Sequence, residues 1–264
     1  MKFTTIIENE YKDVSETAVG KVVSLKKEGK LKYEFMSRAD TYAEGVHALR
    51  ESYVEKEAEV PSQLLFGTDG QKIIRPLTFR ENILARVEDF ETLKNNDGRM
   101  RTIEDRLRLF DTWLDSCSGV VYSSQNEDDF MIIPECKELI TIPRDFNDEY
   151  IQVDYASLQG KGFSLKRSQA KYNQHLTESE VISHPAWIAS VGEDMSLLSM
   201  YTSIVFNNLK DREGKAMGFY LRARMREDLL KNIFMYGISY NFNTFGLNGF
   251  NYGNSSFLRA TPPA

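Results

Sequence analysis

An α+β fold, helix-rich, with helices packed against short antiparallel hairpins or a small sheet, follows from three features of the sequence. Capping boxes precede runs whose apolar residues recur at helical spacing. Short alternating apolar runs are separated by polar or glycine-containing turns, as hairpins require. No regular strand–helix alternation of the kind that builds a parallel sheet is present. One domain over residues 1–264 accommodates this order; the alternative is a division at the Gly160/Gly162 turn into lobes 1–160 and 161–264.

Taken in order, Lys21 to Phe35 reads as a hairpin, with Val23, Leu25, Leu31, Tyr33 and Phe35 alternating about Gly29. Ser37 then caps a helix to about Ala58, with Tyr42, Val46, Leu49 and Tyr53 on one face. Residues 61–77, with Gly67, Gly70 and Pro76, read as a loop. Thr78 and Glu81 form a capping box for a second helix, its stripe Phe79, Ile83, Val87 and Phe90, stopped at Asn95-Asn96-Asp97-Gly98. A third helix is expected from Thr102 to Gly119, through Ile103, Leu107, Phe110 and Leu114.

Val120–Tyr122 and Phe130–Ile133 read as a second hairpin closed by Pro134, followed by strands at Tyr150–Tyr155 and Phe163–Leu165. Thr177 and Glu180 make another capping box, Pro185 opens a short helix, and Asp194 to Lys210 forms a longer one. A strand at Met217–Arg224 and a helix at Arg226–Tyr236 complete the regular elements.

The composition is that of an ordinary globular chain: 41% apolar, 27% charged, with 33 basic against 39 acidic side chains and a net charge of −6. It excludes collagen, a disulfide scaffold and wholesale disorder. Two cysteines, Cys117 and Cys136, without paired spacing, and no apolar run of signal or membrane-span length, point to a soluble protein of the cytoplasm. No cofactor is implied.

Four groups of residues have chemical potential. Asp115, Glu135 and Lys137 match the acid and Glu-x-Lys spacing of a metal-dependent nuclease, in which two carboxylates hold the metal and the lysine steadies water or phosphate. Pro134 weakens that reading by removing a backbone donor beside Glu135. Cys117 with His175 or His184 has the residue types of a thiol nucleophile and its base, but the C-terminal end of a helix is a poor place for a thiolate. Arg222, Arg224 and Arg226 would lie on one face of a strand, and Lys161, Lys166 and Arg167 cluster around the glycine turn; together they would bind a nucleic acid or another polyanion.

The fourth is the C-terminal tail, Ile238 to Phe257. Tyr240, Phe242, Phe245, Phe250, Tyr252 and Phe257 alternate there with asparagine and glycine. Such a segment either wraps its own domain or docks on a partner. The sequence therefore points to a protein that acts by binding or assembly through this tail. Polyanion binding and a nuclease are the alternatives, and an enzyme is the competing class.

Overall fold

The computed structural model describes residues 31–55, 59–95, 114–148, 150–209, 214–221, 225–235, 245–248 and 255–261. Along the chain these form β1 (Lys32–Ala39), α1 (Tyr42–Glu55), β2 (Leu65–Thr68), β3 (Gln71–Ile74), α2 (Phe79–Asn95), β4 (Leu114–Tyr122), β5 (Asp129–Ile133) and α3 (Lys137–Ile140). They continue with β6 (Ile151–Gln152), β7 (Phe163–Lys166), β8 (Gln174–Thr177), α4 (Glu178–Ile182), α5 (Pro185–Ser190), α6 (Met195–Leu209), β9 (Lys215–Tyr220), β10 (Leu229–Met235), β11 (Phe245–Asn248) and β12 (Ser255–Thr261).

Mixed helices and sheets make the fold α+β, but the expectation of a helix-rich chain is corrected. An eight-stranded sheet dominates, in the order β7-β5-β4-β10-β11-β9-β8 with β6 also paired to β10. Its pairs are antiparallel except β11 with β9. Strands from both sides of Gly160 hydrogen-bond directly to one another in it, as β5 does to β7 and β4 to β10.

Two central strands cover residues read as helix: all of β10, and β4 as far as Gly119, with Val120–Tyr122 already read as strand. β4 begins at Leu114, inside the expected third helix, and is buried along its whole length. β10 replaces the helix expected at Arg226–Tyr236. Its apolar residues 229, 230, 233, 234 and 235 fit a helical stripe with Lys231 and Asn232 as the polar face. The structure buries those two residues as well, leaving them 2% and 3% exposed. A strand covered on both faces loses the alternation that marks a half-exposed one.

Other boundaries follow local chemistry. β1 runs through Ser37, and Thr41 caps α1 instead, its Oγ1 accepting the Glu44 amide at 3.2 Å. The expected first hairpin involves residues 21–30, outside the described residues; β1 itself pairs with β12, at the other end of the chain. Within the expected loop at 61–77, Asp69 and Gly70 adopt φ of 48° and 80° and turn the β2–β3 hairpin. Both capping boxes form. Thr78 N–H donates to Glu81 at 2.7 Å while Glu81 N–H donates to Thr78 Oγ1 at 3.2 Å, and Thr177 pairs with Glu180 in the same way.

The apolar faces meet in one core. Phe79, Ile83 and Val87 of α2 are fully buried, as are Trp187 of α5 and Tyr201, Ile204 and Val205 of α6. Trp187 packs on Phe79 with ring centroids 5.8 Å apart. Burial of each such side chain contributes about 1.5–3 kcal/mol.

Candidate binding surface

The aromatic tail is held at both ends by the core of the fold. β10 delivers it from the middle of the sheet, and β11 returns beside β10, with Met235 opposite Leu247 and Phe234 opposite Asn248. β11 also pairs in parallel with β9. The tail thus contains a strand, where an irregular wrap is the alternative drawn from composition. β12 then pairs with β1 from Ser255 opposite Ala39 to Thr261 opposite Lys32.

The final strand is clamped to α1 from the side. Tyr53 Oη donates to the Ala260 carbonyl at 2.8 Å and accepts its amide at 3.0 Å. Burial pushes the Tyr53 phenol up to about 12, against the lowering effects of that carbonyl and of Arg259, so the hydroxyl stays protonated. Arg259 lies over the Tyr53 ring, 5.8 Å from its centroid, and donates to Glu34 at 2.5 Å and to the Ser52 carbonyl at 3.2 Å. Phe257, expected at a partner contact, is corrected to a core position. It is 1% exposed and packs on Tyr42 with centroids 5.6 Å apart. Phe245 lies on β11, and Tyr240, Phe242, Phe250 and Tyr252 lie outside the described residues.

From Asn232 to Leu258 the sequence contains no Asp, Glu, Lys, Arg or His. In a chain that is 27% charged, this leaves only aromatic, amide, hydroxyl, glycine and aliphatic groups between the two anchors. Protein-binding loops favour that mixture: aromatic rings give area at low entropic cost, and Ser, Asn and Gly give adaptable hydrogen bonds.

A cleft of about 280 Å³ opens beside this segment's root. β4 occupies one edge of β10, and the other is shared by β6 at Leu229–Leu230 and β11 at Phe234–Met235. The sheet forks between them, and Lys231 and Asn232 line the cleft there with Tyr42 and Tyr150. The Lys231 ammonium lies 4.9 Å from the Tyr150 ring centroid. Asn232 donates to Asp115 Oδ1 at 2.5 Å. β4 leaves the β10 ladder at this level: Gly119 faces Asn232 and Asp115 faces Phe234, so three residues, Ser116 to Ser118, oppose Ile233. Cys117 turns its backbone outward to Leu77 and Cys136, at 3.0 and 2.9 Å.

The basic cluster on and after β7 carries its own counter-ions. Lys166 lies 3.2 Å from Asp129, Lys171 pairs with Glu180, and Arg167 is sandwiched 5.5 and 5.7 Å from the Tyr122 and Tyr172 rings. Lys161 is exposed on the turn before β7, Arg226 is exposed before β10, and Arg222 and Arg224 lie outside the described residues.

Asp115 and Glu135 each have a polar neighbour of their own. Asp115 is buried against Asn232, Glu135 faces Arg75 at 3.6 Å, and Lys137 is exposed at the start of α3. Among the described residues no group of three or more His, Cys, Asp or Glu is placed to hold a metal ion. Cys117 lies on a strand, where a helix end is expected, with Sγ 3.2 Å from the Pro76 carbonyl. Burial raises its pKa above the ordinary thiol range, and the same cause raises that of Cys136. Both are chemically quiet thiols at neutral pH.

The sequence places Tyr53 on the buried face of its helix but not its bonds to β12, and gives no signal for Arg259. Lys231 and Asn232 leave a trace, as polar residues inside the apolar run Leu229–Met235.

Neither a protein-family model nor a curated protein matches the chain. A solved structure described as "Accommodation of massive sequence variation in Nanoarchaeota by the C-type lectin fold" is similar to it. The two superpose with a TM-score of 0.54, covering 88% of this chain and 98% of the other, at 15% identity. At that identity the likeness shows fold alone. Among the described residues no helix is long and apolar enough to cross a membrane. The chain thus has a C-type-lectin-like fold.

Proposed function

We propose that this is a binding protein whose partner is another protein, and whose contact surface is the uncharged segment between β10 and β12. Tyr240, Phe242, Phe245, Phe250 and Tyr252 supply the contact area, and Asn241, Asn243, Asn251 and Asn254 the adaptable hydrogen bonds. The observation that carries this reading is the double anchoring of a charge-free stretch: a central strand before it, and a strand clamped by Tyr53 after it. Such a frame separates stability, which resides in the sheet including β11, from recognition, which resides in the rest of the segment. The structural neighbour is described as accommodating massive sequence variation in its fold. The same separation in this chain would let the segment vary without loss of the frame. The two buried cysteines remain thiols in the reducing cytoplasm, the compartment this reading adopts.

Polyanion binding draws less support, because Lys166 and Lys171 are already paired with Asp129 and Glu180. The test is a protein and glycan array probed with the intact chain and with a variant carrying Tyr240, Phe242, Phe250 and Tyr252 all replaced by Ser. Binding to protein features, undiminished at 0.5 M salt and lost in the variant, is expected. Signals confined to glycans, or an identical pattern from both chains, would contradict the reading.

A further inference from the structure

His184 caps α5 from a buried position, 4% exposed, and joins three elements. Its Nε2 hydrogen-bonds the Lys171 carbonyl at 2.5 Å, and its ring lies 5.4 Å from that of Phe219 on β9. Lys171 belongs to a strap, residues 167–173, that crosses from β7 to β8. The Arg167 amide fixes the front of the strap to the Asp128 carbonyl at 2.8 Å. Asn173, at φ 56°, fixes its rear, donating to the Phe219 carbonyl at 2.7 Å and accepting from the Leu221 amide at 2.8 Å. Between these ends, His184 holds the middle.

The tautomer follows from the partner. A carbonyl can only accept, so Nε2 carries the proton and Nδ1 is bare. Nδ1 is buried and has no hydrogen-bond partner. In the neutral ring this costs little, but a proton added at Nδ1 would create a buried N–H with no acceptor, on a cation removed from water.

We propose that His184 is an acid-sensitive latch on the strap: protonation at Nδ1 opens residues 169–173 away from α5 and β9.

The charged groups on the elements around the ring do not cancel this effect. α4 carries Glu178 and Glu180, the latter paired with Lys171; β5 and β7 carry the Asp129–Lys166 pair. The strap adds Arg167, β8 adds His175, β9 adds Lys215, and residues 195–207 of α6 carry no charge. Burial lowers the His184 pKa below its ordinary value, outweighing the Lys171 carbonyl and the Glu180 charge, which act in the opposite sense. Because the folded value is depressed, the latch holds above pH ~6.5, the unfolded value, and weakens as pH falls below it. The opening constant then rises by up to about tenfold per pH unit until the folded value is passed.

Amide hydrogen exchange of residues 169–173 between pH 7.5 and 5, corrected for intrinsic rates, tests the latch. Protection is expected to fall several-fold in the natural chain. It should stay flat in His184→Gln, whose amide still donates to Lys171 but does not titrate, while His175→Gln and His47→Gln keep the natural response. Flat protection in the natural chain, or the same fall in His184→Gln, would overturn the proposal. Should His184→Gln not fold, the ¹⁵N shift of Nδ1 decides in the natural chain. Nδ1 must protonate in step with the loss of strap protection, and either event without the other excludes the latch.

Discussion

The hydroxyl of Tyr53 bonds both backbone groups of Ala260, donating to its carbonyl at 2.8 Å and accepting its amide at 3.0 Å. These residues are 207 positions apart. A single side chain on α1 thereby satisfies backbone groups of β12 that a further strand would otherwise serve. Both sites are buried, so the clamp is part of what fixes the far anchor of the uncharged segment.

Tyr53→Phe isolates that clamp. The ring and its packing remain, while a buried donor and a buried acceptor on Ala260 lose their partner. A loss of about 1–3 kcal/mol is expected, measured by urea denaturation. Faster amide exchange should be concentrated in β12 and β1. An unchanged midpoint would show that the bonds are not made in solution.

Glu81 and Arg75 give the expected acid response of the other half of the frame. The guanidinium donates to the carboxylate at 2.7 and 2.9 Å, and Thr78 donates to it from backbone and hydroxyl. Burial raises the Glu81 pKa, but the Arg75 contacts and those of Thr78 outweigh it, and the net shift is downward. A depressed folded value means that this stabilisation is complete above pH ~4.3, the unfolded value, and is lost progressively as pH falls below it. Glu81→Gln leaves the Arg75 charge without its principal partner and should cost about 3 kcal/mol, with a flatter acid limb in the stability–pH curve. The same acid limb in variant and natural chain would refute this assignment.

Gly162 packs tightly against β5. A methyl group there would press on the Ile132 carbonyl, which is backbone and cannot rotate aside. Gly162→Ala should cost about 1–3 kcal/mol by thermal or chemical denaturation. Gly67→Ala meets nothing within 4 Å and should be neutral by the same assay.

Local chemistry was legible in the sequence where a signal lies within a few residues. Thr78 with Glu81 and Thr177 with Glu180 marked their helix starts correctly, because each box closes on itself. β10 and the Leu114–Gly119 part of β4 were misread because they pair with each other from distant parts of the chain and are buried along nearly all of their length. Lys231 is buried against Tyr150 and Asn232 against Asp115, partners no local pattern reveals. The pairing of β1 with β12 is equally non-local. Composition alone located the tail, since aromatic, asparagine and glycine residues are counted without knowledge of contacts. It did not separate Phe257, which the core takes, from the rings assigned to the contact.

Under the proposed function, the rings between β10 and β12 serve recognition rather than stability. The most direct test is the melting of the variant with Tyr240, Phe242, Phe250 and Tyr252 replaced by Ser. Surface substitutions usually change stability by no more than about 0.5 kcal/mol each, so a cooperative transition within several degrees of the natural chain is predicted. Were the four rings packed on the domain, each truncation would cost about 3–5 kcal/mol. Their sum would approach or exceed the ~5–15 kcal/mol that holds a typical domain folded. A variant with no cooperative transition would contradict the account.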